Sequence, residues 1–210
     1  MKIAFLASEC APYLKTGGLG DVVQALPEAL SKLPKVEVSV FLPYYSRIKY
    51  SGQWKTDFLG YFDVQLAWRR EYVGIFRLKT RKKKLQVYFL DNEQYFKRGG
   101  TYGEYDDAER FAYFSKAVLE LLPQIDFFPD IIHANDWHTA LVPVYLDTQY
   151  RSLPGYGSIK TVFSIHNIEF QGKYDRNILE SVFGIYPSQE SILEFDGCLN
   201  LMKGAIECAN

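Results

Sequence analysis

Residues able to do chemistry gather in three short segments of this chain. The first is Lys15-Thr16-Gly17-Gly18-Leu19-Gly20-Asp21. Gly17, Gly18 and Gly20 remove side chains where a helix is predicted to begin, and exposed backbone amides at a helix N-terminus bind phosphate. Lys15 adds a mobile positive charge five residues before Gly20. The alternative reading of the same glycines is a plain tight turn. The dinucleotide-binding fingerprint fails here. A third small residue is needed where Val23 stands, and no acid closes the second predicted strand, which ends in Leu42-Pro43. No Gly-Lys-Ser/Thr follows, so the segment is not a Walker loop.

The second segment is His133-Ala134-Asn135-Asp136-Trp137-His138. Asp136 reads either as a helix N-cap or as a carboxylate at the rim of a site, holding a sugar hydroxyl or a neighbouring histidine. Trp137 is either core or a platform for a sugar ring. His133 and His138 lie five apart, outside the His-Glu-x-x-His spacing, so no metal site is expected. The third segment is His166-Asn167-Ile168-Glu169-Phe170-Gln171-Gly172. A lone histidine is usually structural, but His166 ends a predicted strand opposite the glycine loop, which points to function.

The elements that must position these segments follow from hydrophobic periodicity. Apolar runs predict buried strands at 2–7, 36–42, 130–134 and 159–165. Alternation of Phe62, Val64, Leu66 and Trp68 predicts a half-buried strand, with two more at 72–78 and 85–90. Helical spacing of Val22, Leu26, Leu30 and Leu33 predicts a helix over 21–33 with those residues on its apolar face, in which Pro27 either bends the second turn or leaves one carbonyl to another partner. Asp106 or Asp107 should cap a helix burying Phe111, Phe114, Val118, Leu121 and Leu122, stopped by Pro123. Helices are also predicted at 138–149 and 199–208. The basic run 79–84 reads as a solvated connection. Strands alternating with helices imply an α/β fold, a doubly wound, mostly parallel, Rossmann-like sheet. Ligands bind such sheets outside the carboxyl ends of the strands, where all three segments would open.

Composition sets limits. The chain has 210 residues, 24 Lys plus Arg against 25 Asp plus Glu, and a formal charge of −1. That balance argues against a nucleic-acid partner. A hydrophobic fraction of 48% excludes disorder. No apolar run approaches the roughly 20 residues of a membrane span. Three cysteines without a Cys-x-x-Cys pair read as reduced thiols in the cytoplasm.

The three segments in this order, with Asn200-Leu201-Met202-Lys203-Gly204-Ala205 and with Tyr95 followed by Lys97-Arg98-Gly99, resemble the N-terminal half of bacterial glycogen synthase and plant starch synthase. The resemblance runs from Met1 to Asn210. It implies one of the two domains of a GT-B-type glycosyltransferase, spanning 1–210 and ending before its last strand, with the C-terminal domain of the same enzyme as its partner. It further implies retaining transfer of glucose from ADP-glucose to an α-1,4-glucan acceptor, with no cofactor or metal. Matching positions imply that Lys15, Gly17, Gly18 and Gly20 approach the nucleotide sugar and its diphosphate, and that Asp21 contacts the donor. Asp136 and Tyr95 would shape the sugar and acceptor region, with Trp137 and Asn167 as binding residues. His166 would sit beside the transferred glucose. The competing readings are a non-catalytic glucan-binding or scaffolding module and a nucleotide-binding oxidoreductase domain, the latter weakened by the missing glycine and acid.

Overall fold

The computed structural model describes residues 1–210. A seven-stranded sheet comprises β1 (Lys2–Leu6), β2 (Glu37–Pro43), β3 (Thr56–Leu66), β4 (Arg69–Leu78), β5 (Leu85–Asp91), β6 (Ile131–Asn135) and β7 (Lys160–Ser164). Its order is β3-β4-β5-β2-β1-β6-β7. Five strands, from β5 to β7, are parallel. An antiparallel hairpin, β3–β4, extends one side. The central strands are buried along almost their whole length, as an interior parallel sheet covered on both faces requires. Chain order reverses between β1 and β6, so a crevice opens where their carboxyl ends diverge.

The helices are α1 (Gly18–Ser31), α2 (Ser46–Lys49), α3 (Glu93–Phe96), α4 (Asp107–Gln124), α5 (Leu141–Tyr145), α6 (Ile178–Ser181) and α7 (Leu201–Cys208). A second, three-stranded sheet, β8 (Lys173–Tyr174), β10 (Cys198–Asn200) and β9 (Glu194–Phe195), was too short to be legible as periodicity. Helix α7 starts two residues later than expected because Leu199 belongs to β10. Asn200 caps it, its side chain accepting from the Lys203 amide at 3.0 Å.

Several expectations are corrected. Helix α1 begins at Gly18, not Asp21, and buries Leu19, Val23 and Pro27. Val22, Leu26 and Leu33 are exposed instead. Two stripes of four-residue spacing compete along this segment, and starting the helix at Asp21 left Leu19 out of the winning one. Trp68 does not continue β3. Ala67 takes φ +51 and turns the chain, leaving Trp68 74% exposed. In α4 the expected apolar residues are buried, and Asp106 takes the N-cap position, but neither acid makes a side-chain capping bond. Asp106 pairs with Arg98 at 2.6 Å and Asp107 with Arg110 at 2.5 Å. The helix over 138–149 is broken into a 3₁₀ turn at 137–139, α5, and a π turn at 146–150. Pro143 lies in the first turn of α5, where its missing donor removes no intrahelical bond. No helix is long and apolar enough to cross a membrane.

Candidate functional site

A cleft of about 810 Å³ opens at the carboxyl edge, over the divergence of β1 and β6. All three segments reach it, and a fourth does too: Tyr102, Gly103 and Asp107, from the approach to α4.

The glycine loop is shaped from below by Glu9, which is 2% exposed. Its carboxylate accepts from the Thr16 amide at 2.6 Å, the Gly17 amide at 3.1 Å and the Gly20 amide at 3.0 Å, and from the Thr16 hydroxyl. Amides at the N-terminus of α1 are thus partly taken by the chain's own anion. The Gly18 and Leu19 amides have no protein partner, and both residues line the cleft. A Cβ on Gly18 would meet nothing within 4 Å, so its bareness leaves open space for a ligand. Gly20 differs. A Cβ there would stand 3.1 Å from Lys15 Cγ, so this glycine makes room for the lysine stem. Lys15 Nζ pairs with Asp21 at 2.7 Å, both side chains about half exposed, and neither residue lines the cleft.

Asp136 joins the second and third segments. It is buried, with φ +56 and ψ 177, a region that is nearly glycine-only. Its side chain makes no capping bond. Instead Oδ1 accepts from the His166 amide at 2.7 Å and the Asn167 amide at 3.3 Å. The Asp136 amide donates to Ser164 O at 2.9 Å. Asn135, 1% exposed, donates through Nδ2 to Leu6 O and His133 O, at 3.1 and 3.2 Å. Its Oδ1 is therefore the acceptor that meets His166 Nε2 at 2.9 Å. This assigns the proton of neutral His166 to Nε2 and leaves Nδ1 as the ring nitrogen without a protein partner.

The cleft floor is aromatic. His138 lies with its ring centroid 4.4 Å from that of Tyr102, 4.7 Å from Phe111 and 4.1 Å from Trp137. Its Nδ1 has no partner. Trp137 is 9% exposed and belongs both to the core and to the cleft wall. Burial and the Arg110 charge push the His138 imidazole down to about 3. Burial, with His166 adding, pushes His133 down to about 4. Burial, with the Glu9 charge adding, holds the Tyr102 hydroxyl above its ordinary range.

The two depressed imidazoles predict acid lability. In the unfolded chain each takes up a proton near the ordinary value of 6.5. Their stabilising contribution is present above that value and is lost as pH falls toward the folded-state values. The urea midpoint should drop between pH 7 and pH 5, before most carboxylates titrate. His138→Phe, which sacrifices no hydrogen bond at Nδ1, should flatten the slope. A midpoint unchanged across that interval would show that the folded imidazoles protonate freely.

The cleft thus brings together Gly17, Gly18, Asp136, Trp137, His166 and Asn167 among the expected residues. Lys15, Gly20 and Asp21 stand behind or beside it. Tyr95 does not reach it. It is fully buried, its hydroxyl donating to Glu109 Oε1 at 2.6 Å. Glu9, Tyr102 and Asn135 escaped sequence reasoning. Glu9 did leave a signal, as a single acid between an apolar strand and a glycine loop. No three His, Cys, Asp or Glu side chains converge as a metal site would require.

The family model for the starch synthase catalytic domain matches residues 2–210. Glycogen synthase from Streptococcus agalactiae (serotype Ia) is 46% identical over 208 residues, 98% of this chain and 43% of that protein. Glycogen synthase from Geobacillus stearothermophilus is 47% identical over 98% of this chain and 42% of its own length. The catalytic domain of starch synthase IV from Arabidopsis thaliana, bound to ADP and acarbose, superposes with a TM-score of 0.84 at 32% identity, over 99% of this chain and 43% of that one. The chain spans less than half the length of the relatives it matches.

Proposed function

This chain belongs to the starch synthase catalytic domain family, and we propose that its cleft is one wall of a site that transfers glucose from ADP-glucose, with retention, to the non-reducing end of an α-1,4-glucan. The observation that carries the reading is the pair of free amides at Gly18 and Leu19, set across the cleft from Asp136 and His166. As the anomeric carbon becomes oxocarbenium-like, charge develops on the departing diphosphate. Amides fixed at a helix N-terminus stabilise that charge without reorganising.

Each residue has a proposed part. Gly18 and Leu19 meet the diphosphate, and Gly17 shapes the loop. Lys15, released from Asp21, swings its ammonium toward the phosphates. Asp136 holds the His166 and Asn167 backbone beside the glucose, and His166 Nδ1 accepts from a sugar hydroxyl. Trp137 and Tyr102 form the apolar floor under the sugar. Tyr95 is a positioning residue acting through Glu109. The opposite wall is assigned to a second α/β domain, in keeping with the greater length of the relatives. The enzyme is expected to need no metal.

Calorimetry with ADP-glucose tests this, with UDP-glucose alongside. One wall alone should bind ADP-glucose with a dissociation constant of about 0.1–1 mM, since only part of the contact set is present. Gly18→Val adds atoms only where the chain leaves open space, so it should fold normally and abolish the heat. Sub-micromolar binding would refute the one-wall reading. Binding undisturbed by Gly18→Val would refute the assignment of the amides.

A further inference from the structure

Resting on the glucose-transfer reading above, we infer that Asn135 is a positioning residue that fixes the polarity of His166, so that this wall of the cleft receives a ligand hydroxyl and turns a phosphate oxygen away. Asn135 does not itself line the cleft. It is the last residue of β6, buried where β1 and β6 diverge, and it acts only through the imidazole beside it.

The orientation of Asn135 is over-determined. Its backbone amide donates to the Thr139 hydroxyl at 2.6 Å, and that hydroxyl donates back to Asn135 O at 2.9 Å. Thr139 is fully buried, so the backbone is pinned from inside the fold. In the side chain both Nδ2 protons are spent on carbonyls, Leu6 O from β1 and His133 O from β6. Turning the amide over would set Oδ1 against those two oxygens and deprive both of a donor. Only Oδ1 can then face His166, and it carries lone pairs and no proton. The imidazole must therefore donate from Nε2. The same residue is held a second time through its backbone amide, which donates to Asp136 Oδ1 at 2.7 Å. Contacts from β1 and β6 thus converge, through one side-chain amide, on a ring carried by the segment after β7.

The consequence is chemical. With the proton on Nε2, neutral His166 offers Nδ1 to a ligand as an acceptor. A sugar hydroxyl can donate to it. An ionised phosphate has acceptor oxygens only and is repelled by the same lone pair. The free amides of Gly18 and Leu19, across the cleft, are donors and have the opposite polarity. The two sides of the cleft therefore suit the two ends of a sugar nucleotide, and Asn135 sets the sense in which the ligand lies.

Nitrogen-15 NMR of the histidine-labelled chain, recorded above the titration of the rings, tests this. The chain has three histidines, and His166→Gln identifies the signals of the third. Wild-type His166 should show a proton on Nε2, protected from exchange, and an unprotonated Nδ1 whose resonance moves with ADP-glucose and stays in place with ADP. Asn135→Leu should lose the protected proton. Asn135→Asp, which keeps an acceptor oxygen, should retain it. In a protein that carries both walls, Asn135→Leu should lower kcat about 100-fold, the cost of a misplaced contact group, with the KM for ADP-glucose within about threefold. A wild-type proton on Nδ1 would overturn the assignment without any variant having to fold. So would a protected Nε2 proton that survives in Asn135→Leu, an Nδ1 that answers ADP as strongly as ADP-glucose, or an unchanged kcat. Calorimetric heat from ADP-glucose with no movement of Nδ1 would overturn the role of Asn135 and leave the transfer reading standing. Absence of that heat would overturn both.

Discussion

Arg110→Leu should lower the free energy of unfolding by about 3–5 kcal/mol, because it strands a buried charge. Arg110 is fully buried on α4. Its Nε donates to Tyr95 O at 2.8 Å, and Nη1 donates to Thr101 O at 3.3 Å and to Asp107 Oδ1 at 2.5 Å. Asp107 Oδ2 meanwhile accepts from the Gly103 amide at 2.8 Å. One guanidinium thus ties α4 to the segment that carries Tyr102 into the cleft. Lysine cannot replace it, since a single ammonium lacks the planar fork that reaches two carbonyls and a carboxylate. Urea unfolding of Arg110→Leu, Asp107→Leu and the double variant checks the argument. The double variant should be destabilised less than the sum of the singles, because the second substitution removes the group the first left unpaired. Additive losses would show that the pair contributes only packing.

Asp136→Ala should reduce glucose transfer about 100- to 1000-fold in a protein that carries both walls, the scale on which a lost preorganised contact is felt. Three variants separate its duties. Alanine removes the acceptor for the His166 and Asn167 amides and keeps the strained backbone. Glycine removes the acceptor and relieves the strain, which is worth about 1–3 kcal/mol. Asparagine keeps an acceptor oxygen and loses the charge. Glycine should therefore be more stable than alanine yet equally impaired, with asparagine falling between wild type and alanine in rate. Hydrogen exchange at the His166 and Asn167 amides reports the anchoring without any assay of turnover. Protection should be lost in the alanine and glycine variants. Transfer within about threefold of wild type in the alanine variant would remove Asp136 from the machinery.

The strand ends that build the cleft were legible because each couples an apolar run to an abrupt polar cluster, a pattern carried in contiguous residues. Contacts between segments were not. That the Gly17 and Gly20 amides are turned toward Glu9 depends on how the loop folds back over the end of β1, and no spacing records it. Tyr95 and Tyr102 show the same limit. Both are tyrosines seven apart in one segment, and only the path of the chain around Arg110 decides which reaches the cleft. The buried face of α1 was misread for a local reason, since two stripes of equal period differ only in where the helix starts. Trp68 looked like the next step of an alternating strand until the turn at Ala67 carried it out of the sheet.

A helix N-terminus left open collects any small anion that diffuses past it, including orthophosphate. Here the chain keeps an anion of its own in that place, through the Glu9 contacts to Thr16, Gly17 and Gly20. A stray phosphate reaching the loop finds two free amides and a resident negative charge beside them. Occupancy of the loop then demands a ligand anchored elsewhere as well, by its sugar or its base. On the proposed reading, the carboxylate would act as a doorkeeper, favouring an entire sugar nucleotide over loose phosphate.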